Sequence, residues 1–123
     1  PLDGSRQVDG LDKKNHFVDE LKKYWKNNSR CCIIAANPDA YKQNDDMCDF
    51  FREVFLKEGL SLQCFDLIDK RYSNFTRDDL QQYDVIILGG GHVPTQNQFF
   101  QDIQLREKIE DFQGIVIGIR RRR

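Results

Sequence analysis

Val85-Ile86-Ile87-Leu88-Gly89-Gly90-Gly91-His92 is the stretch that decides the fold. Four apolar residues have the length of a strand buried on both faces. Three glycines in series then allow the backbone to turn sharply and to approach a ligand closely, because no Cβ intervenes. The pattern predicts the floor of a pocket at the end of a central strand. Its plainer alternative is a tight turn after a buried strand.

Outward from this stretch, two further apolar runs have the same character: Cys31-Cys32-Ile33-Ile34-Ala35-Ala36 and Ile115-Val116-Ile117-Gly118-Ile119. Leu62 to Leu67 completes a set of four predicted strands. Between them the spacing of apolar residues becomes helical. Met47, Phe50, Phe51, Val54 and Phe55 predict a helix over about Asp45 to Lys57, stopped at Glu58-Gly59. Thr76-Arg77-Asp78-Asp79 has the form of a capping box, opening a short helix that runs up to Tyr83. A further helix follows Pro94 with Thr95 as expected N-cap, and a phase shift from Ile103 to Leu105 predicts a break near Asp102 to Gln104. Before the first strand, Phe17, Leu21 and Tyr24 share one helical face, with Val18 and Trp25 beside them.

Strands alternating with helices specify a three-layer α/β/α sandwich on a parallel sheet. Right-handed crossovers and a flavodoxin-like topology would place the four predicted strands in the order 2-1-3-4. Ligands in such sheets bind at the carboxyl ends, near the point where the winding reverses. The loops there are Gly89 to His92 and Asn37-Pro38-Asp39, so Asn37, Pro38 and Thr95 are the expected pocket rim. The expected divisions are a polar leader over 1–14, one domain over 15–119 and an arginine tail over 120–123.

Composition narrows the function classes. With 19 basic and 20 acidic residues, of which Arg120 to Arg123 are four of the basic ones, the body carries 15 − 20 = −5. That balance argues against nucleic acid or an anionic membrane surface as partner. No apolar run approaches the ~20 residues of a membrane helix. Cys31, Cys32, Cys48 and Cys64 have no metal-ligand spacing, and the adjacent pair must point to opposite faces of a strand. They read as reduced packing residues of a cytoplasmic protein, and no metal or organic cofactor is expected. Asp45, Asp46 and Asp49 read as a first-turn cluster matched to the helix dipole rather than as a cation site.

The glycine loop lacks the last glycine of GxGxxG and the GK[ST] of a P-loop. Its run of backbone N–H groups suits an anion or a developing oxyanion. His92 reads as a donor facing a ligand or as a polar rim residue.

Cys32-Ile33-Ile34-Ala35-Ala36-Asn37-Pro38, the helix from Asp46 to Gly59, Tyr83 to His92 and Gly114 to Ile119 together resemble the dipeptidase E family. These are alpha-aspartyl dipeptidases related to cyanophycinases. The resemblance spans about Phe17 to Ile119 and implies a class I glutamine amidotransferase-like domain, of which this chain matches the N-terminal half. It implies oxyanion donors at Gly90 and Gly91, with His92 where many relatives carry asparagine. In the family, Gly118-Ile119 would lead into a sharp turn bearing the nucleophilic serine. Arg120 stands at that position, and arginine has no nucleophilic oxygen or sulfur.

The parent is therefore expected to be a serine-type peptidase of small, Asp-initiated peptides, and the chain itself is expected to be inactive. The arginine run has three readings: a truncation or cloning scar, an artefact in the sequence, or a natural basic tail. The competing function is a non-catalytic module that binds a small anion at the glycine loop or serves assembly. Loss of the later half is expected to leave a sheet edge open to self-association.

Overall fold

The computed structural model describes residues 5–9, 21–25, 27–90 and 93–120. The strands are β1 (Ser5–Asp9), β2 (Ser29–Ile34), β3 (Leu62–Ile68), β4 (Val85–Leu88) and β5 (Ile115–Arg120). The helices are α1 (residues 21–24), α2 (Tyr41–Lys57), α3 (Arg77–Gln81), α4 (Val93–Asp102) and α5 (Leu105–Ile109), with a 3-10 turn at Lys70–Tyr72.

All strand pairs are parallel, in the order β1-β5-β4-β2-β3. The four strands predicted from the apolar runs therefore lie in the order 2-1-3-4, flanked by helices in the flavodoxin-like manner. The fifth strand is a difference. Ser5–Asp9, within the polar stretch expected to form a loose leader, pairs with Val116 to Arg120 along β5. The sheet edge expected to stand open beside the fourth predicted strand is thus occupied, and the outer strands are β1 and β3.

Alternation along the strands sorts the core into two layers, as the period of a strand requires. Cys31, Ile33, Val85, Ile87 and Ile117 face α2 and Leu21. Cys32, Ile34, Ile86 and Val116 face α3, α4 and α5 through Leu80, Phe99, Ile103, Leu105 and Ile109. The adjacent cysteines do point to opposite layers, and all four are free thiols, three buried and Cys64 half-buried. Phe55 is fully buried and meets Trp25, Phe51 and Phe65 edge-on at ring-centroid distances of 5.6, 6.3 and 5.6 Å. Two residues expected in the core are exposed, Tyr24 and Phe50. Phe50 meets Phe51 edge-on at 5.6 Å.

The punctuation follows the sequence in three places. Gly59 ends α2 at φ +82, with the Leu60 N–H reaching back to the Phe55 carbonyl at 2.9 Å. Gln104, at φ 53, separates α4 from α5 at the predicted break. Thr76 and Asp79 form the reciprocal capping box, with bonds of 2.9 and 3.1 Å. Replacing Thr76 by Ala should destabilise the fold by about 1 kcal/mol, read as a lower denaturant midpoint at unchanged slope.

Two helix starts differ from expectation. α2 begins at Tyr41, with Ala40 as an N-cap that makes no side-chain bond, so Asp45 and Asp46 lie beyond its first turn. The dipole reading of Asp45, Asp46 and Asp49 is thereby corrected: they pair with Arg71, Lys42 and Arg52 at 2.8, 3.5 and 2.7 Å. α4 begins at Val93, which puts Thr95 inside the helix rather than at its cap.

Candidate active site at the carboxyl ends of the strands

Ile34, Leu88 and Gly118 lie in register across β2, β4 and β5. The segments leaving this row are Ala35 to Asp39, the glycine loop, and Ile119-Arg120. The two loops expected to form the pocket therefore leave the sheet at the same end.

The three glycines do not have equal roles. Gly89 donates its N–H to the Ile34 carbonyl at 2.8 Å, continuing the ladder one step past β4. A Cβ there would lie 3.1 Å from the same carbonyl oxygen and 3.5 Å from the Ala36 nitrogen, so glycine lets the loop pass close over β2. The Gly89 carbonyl accepts from Gln96 Nε2 of α4, tying the loop to the helix that follows it. Gly89 is thus a packing residue with its donor committed. Gly90 is half-buried, while Gly91 and His92 lie outside the described residues. The donor role read from the sequence rests on Gly90 and Gly91.

On the other side, the Asn37-Pro38-Asp39 loop is built by side chains that sequence reasoning left unconnected. Asn37 Oδ1 accepts from the Asp39 N–H at 3.1 Å, forming an Asx turn. The buried Asn44 of α2 donates to the Asn37 carbonyl at 2.9 Å and to Asp69 Oδ2 at 3.3 Å. The Pro38 carbonyl accepts from the Lys70 N–H at 3.1 Å, which joins the exit of β2 to the exit of β3.

Asp69 is completely buried and anchors this end of the sheet. It caps the 3-10 turn through the Arg71 N–H at 2.9 Å and takes the Arg71 guanidinium at 2.7 Å. Arg71 also reaches Asp45 Oδ1 at 2.8 Å and stacks on Tyr41 and Tyr72, 4.4 and 5.1 Å from the ring centroids. The two carboxylates hold the guanidinium firmly protonated. With Asp69, Asp45 and two aromatic rings around its guanidinium, Arg71 is a brace for the rim rather than a free anion binder.

The hydrogen bond from Arg71 holds the Asp45 carboxyl below the usual carboxylate value of about 4. A lowered folded pKa contributes stability above the unfolded value, and this is lost as pH falls through the folded one. Acid unfolding below about pH 4 should therefore differ between the protein and Asp45→Asn, with the two curves merging at the lowest pH.

Cys31, Cys32 and Cys48 are not set up as nucleophiles. Burial pushes the Cys48 thiol up to about 11 and raises Cys31 and Cys32 further. Among the described residues no group of three or more His, Cys, Asp or Glu side chains is placed to hold a metal ion. No described helix is long and apolar enough to cross a membrane. β5 remains a strand through Arg120, in register with Asp9 of β1. No family model, curated protein or solved structure matches the chain.

Proposed function

We propose that the chain is the N-terminal portion of a dipeptidase E-like serine peptidase with a class I glutamine amidotransferase-like fold, and that on its own it does not hydrolyse peptides. The observation that carries this reading is the register of Leu88 with Gly118. It puts the exit of β4, where the glycine loop starts, beside the exit of β5, where the resemblance expects the nucleophile. In the intact parent, the serine would attack the scissile carbonyl. The N–H groups of Gly90 and Gly91 would hold the oxyanion of the tetrahedral intermediate. The substrate would be a small peptide, with aspartate at its N-terminus by family resemblance. The free cysteines, three of them buried, fit a reducing cytoplasm.

Arg120 accounts for the inactivity. A guanidinium cannot form an acyl-enzyme, and β5 continues through this position without the tight turn that would expose a nucleophile. Asp-Leu hydrolysis by the 123-residue chain should be indistinguishable from buffer. A longer chain, in which Gly118-Ile119 leads into Ser-Ala-Gly and the family's remaining half, should release aspartate. Turnover by the short chain overturns the inactivity. An inert but folded long chain favours the non-catalytic anion-binding module.

A further inference from the structure

A groove of about 640 Å³ runs along the outer edge of β3, on the side of the sheet away from β5. Its floor is a strand edge with one neighbour, β2, among the described residues. The Ile68 carbonyl accepts from the Ala35 N–H at 2.9 Å and so points inward toward the β2 segment. Successive residues of a strand turn their backbone groups to opposite sides, so Phe65 and Leu67 turn theirs outward. The Phe65 carbonyl shows this directly, since Arg52 Nη2 reaches it from α2 at 3.1 Å. A side-chain donor here occupies the place of a neighbouring strand's N–H. The Phe65 N–H and both polar groups of Leu67 face the groove.

The two walls differ in charge. On the α2 side, Asp49 is paired with Arg52 at 2.7 Å and Asp45 with Arg71 at 2.8 Å, so each of these carboxylates has a cationic partner. On the α3 side, Asp66 is held by the Tyr83 hydroxyl at 2.5 Å and Asp79 by the Thr76 N–H at 2.9 Å. Neither of these two carboxylates makes an ion pair among the described residues, and the cations on this side, Arg30 and Lys108, lie over the rings of Tyr83 and Phe75 at 5.8 and 4.3 Å. An added strand would send alternate side chains to the two walls.

We propose that this edge takes an extended peptide as a further strand on β3, with basic side chains at alternate positions facing Asp66 and Asp79. Small or apolar side chains occupy the intervening positions toward α2. Main-chain bonds to Phe65 and Leu67 give affinity, and the acidic wall gives selectivity. A second copy is the wrong occupant, because pairing two β3 edges brings like-charged carboxylates together.

The probe is a labelled, acetylated and amidated (Lys-Val)4 peptide titrated into the 123-residue protein by fluorescence anisotropy. Saturable binding is expected, with none for (Glu-Val)4. Methylating the backbone nitrogens of one alternate set of residues should abolish binding, while methylating the other set should preserve it. Asp66→Asn with Asp79→Asn keeps acceptors for Tyr83 and Thr76 and should weaken binding about tenfold. No binding, equal binding of both methylated peptides, or an undiminished affinity of the double variant overturns the proposal. So does a peptide-free dimer formed through β3. The methylated peptides use the unaltered protein, so the test stands even where the double variant fails to fold.

Discussion

Replacing Gly114 by Ala should cost about 3 kcal/mol or more and lower the melting temperature by roughly 15 °C. Gly114 sits where the chain leaves α5 and enters β5, against the start of β4. A Cβ there would lie 2.2 Å from the Asp84 carbonyl oxygen, 2.9 Å from its carbon and 2.7 Å from the Phe112 ring. The first two contacts are backbone, and the same Asp84 carbonyl already accepts the Ile115 N–H at 2.9 Å. Relief would require parting β4 from β5 at their first residue pair, Val85 with Ile115. Gly59→Ala is the contrasting case. Space is open around it, and only its positive φ resists, so about 1 kcal/mol is expected. Equal losses at the two sites would show that close approach of the strands is not what requires Gly114.

The second large effect belongs to Asp69. Truncation to Ala removes the acceptor of Asn44 Nδ2, of the Arg71 N–H and of the Arg71 guanidinium at once. Asn44 is buried and cannot turn to water, and an unmatched buried donor costs about 1–3 kcal/mol. With the cap of the 3-10 turn lost as well, about 3 kcal/mol is expected. Asp69→Asn keeps an acceptor for the turn and should lose about half as much. Hydrogen exchange should localise the change. The amides of Lys70 and Tyr72 should exchange faster, because their bonds to Pro38 and Asp69 define the rim. A uniform loss of protection would mean that Asp69 supports the whole sheet rather than this end of it.

What the sequence made legible follows from burial. β2, β4 and β5 bury both faces, so each is a continuous apolar run, and right-handed crossovers together with a flavodoxin-like topology place them in order. The α4–α5 break was visible because Ile103 and Leu105 both had to reach the core. β1 was invisible for the converse reason. Ser5-Arg6-Gln7-Val8-Asp9 contains one apolar residue, and an edge strand can be held by its backbone ladder without any side-chain pattern. The start of α2 was missed because Ala40 offers no capping side chain and Tyr41 to Asp45 carry no apolar period.

The candidate site divides in the same way. The glycine loop and the Asn37-Pro38 loop were legible as chain turns after apolar runs. That Gly89 spends its N–H on Ile34 was not, because the run gives no measure of how far the ladder continues past β4. The Asp69–Arg71–Asp45 brace joins residues 26 positions apart, and no local spacing encodes it. One signal was available: Asp69 ends an apolar strand with a basic residue two positions on, the form of a turn cap that holds its own cation.

The most direct test of the peptidase reading is covalent labelling at position 120. A longer chain carrying Ser-Ala-Gly after Ile119, and the family's later half, is treated with a phosphonofluoridate, and the modified residue is located by peptide mass. One adduct is expected, on the serine at position 120, and none on the chain that carries Arg120. An adduct on another residue, or an unlabelled long chain that is folded, would contradict the assignment of the end of β5 as the nucleophile position.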